Sequence, residues 1–72
     1  MTRPTELTPR HVEVLRYSAQ GHEIKEIAKL MGLSRETVKD HRQAIYNRLG
    51  ASNIPHAVAI AGRMGLLDGV EL

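Results

Sequence analysis

The sequence contains no cysteine, no tryptophan and no phenylalanine, and it has only two tyrosines. Without cysteine the chain has neither disulfide bonds nor thiolate metal ligands to stabilise it. Any hydrophobic core must therefore consist of aliphatic side chains. A chain of 72 residues allows one domain and buries only a modest fraction of its surface.

Long apolar runs are also missing. No stretch approaches the roughly 20 apolar residues that a transmembrane helix needs. The N-terminal segment MTRPTEL lacks the apolar core of a signal peptide. These two absences predict a soluble, cytoplasmic protein.

The excess of positive charge is small, with ten Lys and Arg against eight Asp and Glu. It is also uneven, because residues 35–48 hold four basic side chains and two acidic ones. A local basic excess favours a polyanionic partner such as nucleic acid. A solvated surface of mixed charge would give the same pattern.

Hydrophobic periodicity predicts four helices and no strand, which makes an all-α, compact four-helix bundle. Thr8 and Pro9 suit the start of a first helix that runs to about Gln20, and Asn53 can cap the fourth. The predicted inner stripe of the fourth helix is Ala57, Ile60, Ala61 and Met64. Residues 7–67 form the predicted domain, in which Leu66 and Leu67 fold back onto the core. A flexible leader at 1–6 and a frayed tail at 68–72 flank it.

The third predicted helix, Ser34–Leu49, carries the functional signal. Val38, Ile45 and Leu49 recur at the spacing of one buried stripe. The opposite face has almost no hydrocarbon: it carries Glu36, Lys39, Asp40, Gln43 and Asn47. Side chains of this kind suit base edges in the major groove of DNA. A shorter helix, Ile24–Met31, precedes it across a tight turn, so the pattern is that of a helix-turn-helix with a recognition helix at 34–49.

Several short motifs then resemble a known family. They are Leu7-Thr8-Pro9-Arg10, Lys25-Glu26-Ile27-Ala28, Leu33-Ser34, Thr37-Val38-Lys39, His41, Leu49-Gly50 and Gly65-Leu66. Over about residues 7–67 the chain resembles the LuxR-type (GerE-type) DNA-binding domain. The resemblance implies a bundle with a central helix-turn-helix, and bacterial transcription regulation by a homodimer that binds an inverted repeat in double-stranded DNA.

The resemblance also implies roles for single residues. Base contacts fall on Lys39, Asp40 and Gln43, whose side chains can meet guanine, cytosine and adenine, respectively. Phosphate contacts fall on Thr37, His41 and Arg48. Two further phosphate candidates, Arg35 and Arg42, lie beside the recognition face. The implied dimer contact is the outer flank of the fourth helix, at Val58, Ala59 and Gly62.

Some positions depart from the family pattern. His11 stands where a glutamate usually completes a capping box, so we expect the first helix to fray. Glu23 replaces a serine N-cap, and Ile54 replaces a frequent arginine. Asp40 and Gln43 replace residues that are more often neutral or basic. Because a carboxylate repels phosphates, we expect low non-specific affinity for DNA.

Other interpretations stay open at this point. The outer face of the third helix could be an ordinary solvated surface, and His41 could be structural. A sigma-factor region-four-like promoter reader shares part of the motif. A protein-interaction module that sequesters a regulator or RNA polymerase is a further alternative. The histidines lack metal-binding spacing and no catalytic pair is evident, so we expect no enzyme, metal or cofactor. The sequence fits either a stand-alone regulator or the C-terminal part of a longer one.

Overall fold

A computed structural model describes residues 7–67. They form four helices, α1 at Pro9–Ala19, α2 at Ile24–Met31, α3 at Arg35–Leu49 and α4 at Ile54–Arg63. No strand occurs within residues 7–67. The all-α prediction is therefore confirmed. The predicted leader at 1–6 and tail at 68–72 lie outside the described residues.

Local side-chain chemistry defines the ends of these helices. The side chains of Thr8, Ser34 and Asn53 each accept a hydrogen bond from the backbone amide three residues later. These bonds satisfy donors that have no partner inside the helix. At the other end, Gly32 and Gly50 both adopt a left-handed conformation with φ of 67°. Glycine reaches this region without steric cost, so α2 and α3 stop sharply.

The expectation that His11 leaves the capping box of α1 incomplete was wrong. The Thr8 hydroxyl accepts from the His11 amide at 3.2 Å, and His11 Nδ1 accepts from the Thr8 amide at 3.4 Å. A neutral imidazole has one nitrogen that accepts, so it can take the place of the glutamate in a capping box. At α2 the same purpose is served by Glu26, whose carboxylate accepts from the Glu23 amide at 2.9 Å.

Helix α3 is central to the fold because it packs against each of the other three helices. Its Val38 and Ile45 are completely buried, as are Val14 and Leu15 of α1 and Ile27 of α2. The rest of the core is also aliphatic, and consists of Ala28, Met31, Leu49, Ala57, Ala61 and Leu67. Burial of these side chains is the main force that holds the helices together.

The prediction that Met64 belongs to the inner stripe of α4 was wrong. The helix ends at Arg63, and the Met64 side chain remains 46% exposed. Gly65 then takes a positive φ of 76°, which reverses the chain. Leu67 is buried against the core after this reversal, as predicted. The remaining stripe residues differ in depth, with Ala57 and Ala61 buried and Ile60 half-buried.

Substitution of the glycine between α2 and α3 tests the helix-turn-helix geometry. We expect Gly32→Ala to lower the free energy of unfolding by about 1 kcal/mol, because a β-carbon is disfavoured at positive φ. No heavy atom lies within 4 Å of the position that this carbon would take, so the cost is one of backbone strain alone. Urea denaturation followed by circular dichroism measures the change.

Gly62→Ala is the matched control, since Gly62 lies inside α4 and its added β-carbon also meets no atom within 4 Å. Alanine is the better helix former by roughly 0.5–1 kcal/mol, so this variant should be as stable as the parent or more stable. Equal stability of the two variants would contradict the assignment of strain to the turn.

Candidate nucleic-acid interface

The outer face of α3 is exposed to solvent along its whole length. It comprises Glu36, Lys39, Asp40, Gln43 and Asn47, and each of these residues is exposed. The side chains that anchor the helix, Val38, Ile45 and Leu49, point in the opposite direction into the core. A helix of 15 residues is roughly 22 Å long. Its width suits the major groove of B-DNA, which is about 12 Å across.

The three candidates for base contacts lie close together on this outer face. Lys39 and Gln43 are one helical turn apart, and Asp40 is next to Lys39. The Gln43 side-chain amide donates to Asn47 Oδ1 at 3.5 Å. This distance is at the upper limit for a hydrogen bond, so the interaction is weak and leaves the amide available to another partner.

Thr37 lies in the first turn of α3, where backbone donors and the helix dipole favour an anion. Its hydroxyl oxygen is 2.9 Å from that of Ser34, and its amide donates to the same Ser34 hydroxyl. Thr37 is thus part of the helix cap. Because a hydroxyl both donates and accepts, this contact leaves capacity for a phosphate oxygen.

His41 is half-buried and joins α3 to α1. Its ring contacts the ring of buried His11 edge to face, with centroids 5.2 Å apart and an interplanar angle of 70°. The structural interpretation of His41 therefore has direct support from this packing. Burial lowers the pKa of His11, and the neighbouring His41 and Arg48 lower it further.

The three arginines of α3 occupy different environments. Arg35 is exposed, whereas Arg48 is half-buried. The half-buried Arg42 turns towards α1, where its Nη2 donates to the Ser18 hydroxyl at 3.2 Å. Ser18 in turn donates to the carbonyl oxygen of Val14 at 2.8 Å. Arg42 is therefore held against α1, and its predicted phosphate contact stays a prediction.

The spacing of Arg42 carries a signal that sequence reasoning missed. Val38, Arg42, Ile45 and Leu49 recur at intervals of four, three and four residues, which is the inner stripe of a helix. His41 is the more obvious candidate for the gap in this stripe, because an arginine among apolar side chains is unusual. The Ser18 contact has no sequence signal, because it joins residues 24 positions apart.

The outer flank of α4 carries small side chains. Ala59 and Gly62 are exposed and Val58 is half-buried. This flank is opposite to Ala57 and Ala61, which are buried. Nothing within residues 7–67 covers it at Gly62, where an added β-carbon would meet no atom within 4 Å. The flank is therefore open to a close approach by another helix.

Two features are absent from the described part of the chain. Residues 7–67 contain no group of three or more His, Asp or Glu side chains placed to hold a metal ion. None of the helices in this part is both long and apolar enough to cross a membrane.

Comparison with protein families shows which family this four-helix domain belongs to. The sequence profile described as "Bacterial regulatory proteins, luxR family" matches residues 5–61, which is most of the chain. The chain belongs to the LuxR family. The match extends over all of α1, α2 and α3, so the fold and the sequence together make it a LuxR-type helix-turn-helix DNA-binding domain.

Individual LuxR-family relatives are similar over nearly the whole chain. It is 44% identical over 63 residues to the transcriptional regulatory protein YdfI of Bacillus subtilis, covering 88% of this chain and 30% of that protein. It is 36% identical over 64 residues to the transcriptional activator protein BjaR1 of Bradyrhizobium diazoefficiens, covering 89% and 26%. It is 39% identical over 66 residues to the quorum sensing-dependent transcriptional regulator VjbR of Brucella ovis, covering 92% and 26%. The chain thus spans less than a third of the length of these relatives.

The buried His11 of this LuxR-type domain is expected to make its stability depend on pH. The pKa of His11 in the folded protein lies below the ordinary histidine value of 6.5, so protons bind the unfolded chain more tightly. The stabilising effect is complete above pH 6.5 and is lost as the pH falls below it. We expect the free energy of unfolding in urea titrations to fall as the pH is lowered from about 6.5 through the lower pKa of folded His11.

His11→Gln is the control, because an amide oxygen can still accept from the Thr8 backbone but does not titrate. Its stability should depend less steeply on pH than that of the parent. Parallel curves for the two proteins would show that His11 does not cause the loss.

Proposed function

We propose that this domain is a sequence-specific transcription regulator whose helix α3 enters the major groove of DNA. One observation carries the proposal: the outer face of α3 is polar and exposed while the inner stripe of the same helix is buried. The core fixes the rotation of α3 about its axis, so the same side chains always face outwards. A preformed reading surface of this kind binds without the entropic cost of ordering a loop.

Under this proposal the contacts divide into two classes. Lys39, Asp40 and Gln43 contact base edges and determine which sequence is bound. The predicted phosphate contacts set the depth and angle of α3 in the groove, and they fall on Arg35, Thr37, His41, Arg42 and Arg48. Because His41 also packs against His11, its phosphate contact would depend on the position of α1. The exposed Asp40 should lower affinity for random DNA, since its carboxylate repels the backbone.

The proposed assembly is a twofold homodimer that forms through α4. The open flank at Ala59 and Gly62 supports it, because small side chains allow two helices to approach closely. Two copies of α3 would then meet half-sites about one helical turn apart in an inverted repeat. We propose that the protein acts on the chromosome in the bacterial cytoplasm.

A second candidate function keeps the scaffold but replaces DNA with a protein partner, such as another regulator or RNA polymerase. The acidic Asp40 on the outer face favours it, because a carboxylate is an unusual neighbour for phosphates. Fluorescence anisotropy with random duplex DNA at low salt separates the two functions. Binding that strengthens as salt falls supports the DNA-binding proposal. Absence of binding under these conditions favours the protein partner.

Lys39 and Gln43 provide the direct test of base reading. We expect Lys39→Ala and Gln43→Ala each to weaken binding to a specific duplex by about 1–3 kcal/mol, the range for a good bidentate base contact. Binding to random duplexes should change much less. Anisotropy titrations at fixed salt measure both quantities.

Lys29→Ala is the matched control, because Lys29 is equally exposed but belongs to α2 and lies off the outer face of α3. It removes the same charge and should leave sequence preference unchanged. If Lys29→Ala and Lys39→Ala lose the same amount of specific binding, Lys39 contributes only a general attraction to the charge of DNA and no base contact.

The flank of α4 is tested by Ala59→Glu. Two copies of this carboxylate would face each other across a twofold axis, so we expect cooperative binding to an inverted repeat to be lost. Binding to a single half-site should persist because α3 is untouched. Gln20→Glu, at an exposed position that ends α1, adds the same side chain elsewhere. If both variants bind an inverted repeat as the parent does, the dimer does not form through α4.

A further inference from the structure

An open groove of about 580 Å³ runs beside the outer face of α3, and we call it the basic groove. One wall is the link between α1 and α2 with the start of α2, and the other wall is α3. Four cationic side chains line it: Lys25, Arg35, Lys39 and Arg42. Glu23 is the one carboxylate among the residues that line it. The groove is therefore electropositive, and it is concave where the outer face of α3 is convex.

Arg42 holds the innermost of these charges. It stands in the inner stripe of α3, between Val38 and Ile45, where the pattern calls for an aliphatic side chain. Its Nη2 atom is anchored on Ser18 at 3.2 Å, and its Nε atom is buried without a hydrogen-bond partner among residues 7–67. A buried donor atom without a hydrogen-bond partner lowers stability. Packing in the protein interior therefore does not explain why position 42 holds an arginine and not an aliphatic residue.

The position of Arg42 instead suits the recognition of an anion. A guanidinium carries five donors in a rigid plane and matches the spacing of phosphate oxygens. Ser18 fixes that plane from one side, so less conformational entropy is lost when an anion binds from the other. The exposed ammonium and guanidinium groups of Lys25 and Arg35 can close over the remaining oxygens. Hydrogen bonds of this charged kind are stronger than those between neutral groups.

We propose that the basic groove is a binding site for a single phosphate group, with Arg42 as the inner donor. This inference rests on the proposed function only where that phosphate belongs to DNA. The same chemistry fits two sources, a backbone phosphodiester of the bound duplex or a free phosphate. Lys39 lines the groove and also belongs to the outer face of α3. A free phosphate in the groove would therefore compete with DNA for Lys39.

Nuclear magnetic resonance titrations of the ¹⁵N-labelled protein test the site directly. Inorganic phosphate is added first, at constant ionic strength set by chloride, and random duplex DNA is added in a separate series. We expect saturable shifts of the amides of Gly21 and His22, which line the groove. A response to phosphate itself assigns the site to free phosphates as well. A response to the duplex alone assigns it to the DNA backbone.

The variant that separates function from structure is Arg42→Met, which keeps an unbranched chain and removes the charge. We expect the phosphate or duplex affinity that these amides report to fall by about tenfold or more, as for the loss of a charged hydrogen bond. The melting temperature should stay the same or rise, because the buried unpaired donor is gone. Lys29→Gln, outside the groove, should change neither quantity.

The inference is overturned if neither titration shifts these amides, or if Arg42→Met shows the same saturable shifts as the parent. It is also overturned if Arg42→Met melts at lower temperature while its titrations are unchanged, since Arg42 would then be purely structural. Should that variant not fold, the double variant Lys25→Gln, Arg35→Gln at the exposed rim takes its place, with the same expected loss of affinity. The phosphate series needs no DNA, so it can succeed even if the proposed function fails.

Discussion

The burial of one side of α3 against three other helices is the constraint on which the rest of the structure depends. Val38 and Ile45 are completely buried, so α3 cannot rotate about its axis without exposing them to water. This fixes the direction of Lys39, Asp40 and Gln43. The aliphatic core is small, but it needs only to hold a single helix in one orientation.

Two polar contacts add to the apolar core in fixing the position of α3 against α1. The pairing of His11 with His41 and the bond from Arg42 to Ser18 both join α1 to α3. Each places a titratable or charged group at the junction of these two helices. Both contacts flank the surfaces that we propose to touch DNA.

Much of this arrangement is predictable from residue patterns. The caps at Thr8, Ser34 and Asn53 and the glycine stops depend on neighbours close in sequence, so local patterns are enough to locate them. Three features escape such patterns. His11 completes a cap because a neutral imidazole can accept, Met64 is exposed because α4 ends at Arg63, and Arg42 is held by Ser18. The partner of Arg42 lies 24 residues away, and helical periodicity does not contain such a contact. Base and phosphate roles on α3 remain predictions, since exposure shows that a side chain is available and not what it touches.

Selection of bound sequences from a pool of random duplexes tests the central claim most directly, because the target sequence need not be known beforehand. If the outer face of α3 reads bases and α4 joins two copies, the selected duplexes will share an inverted repeat with half-sites about one helical turn apart. Repeating the selection with Gln43→Ala should relax the preference at one position of each half-site. A bound pool that remains random in sequence would contradict the account.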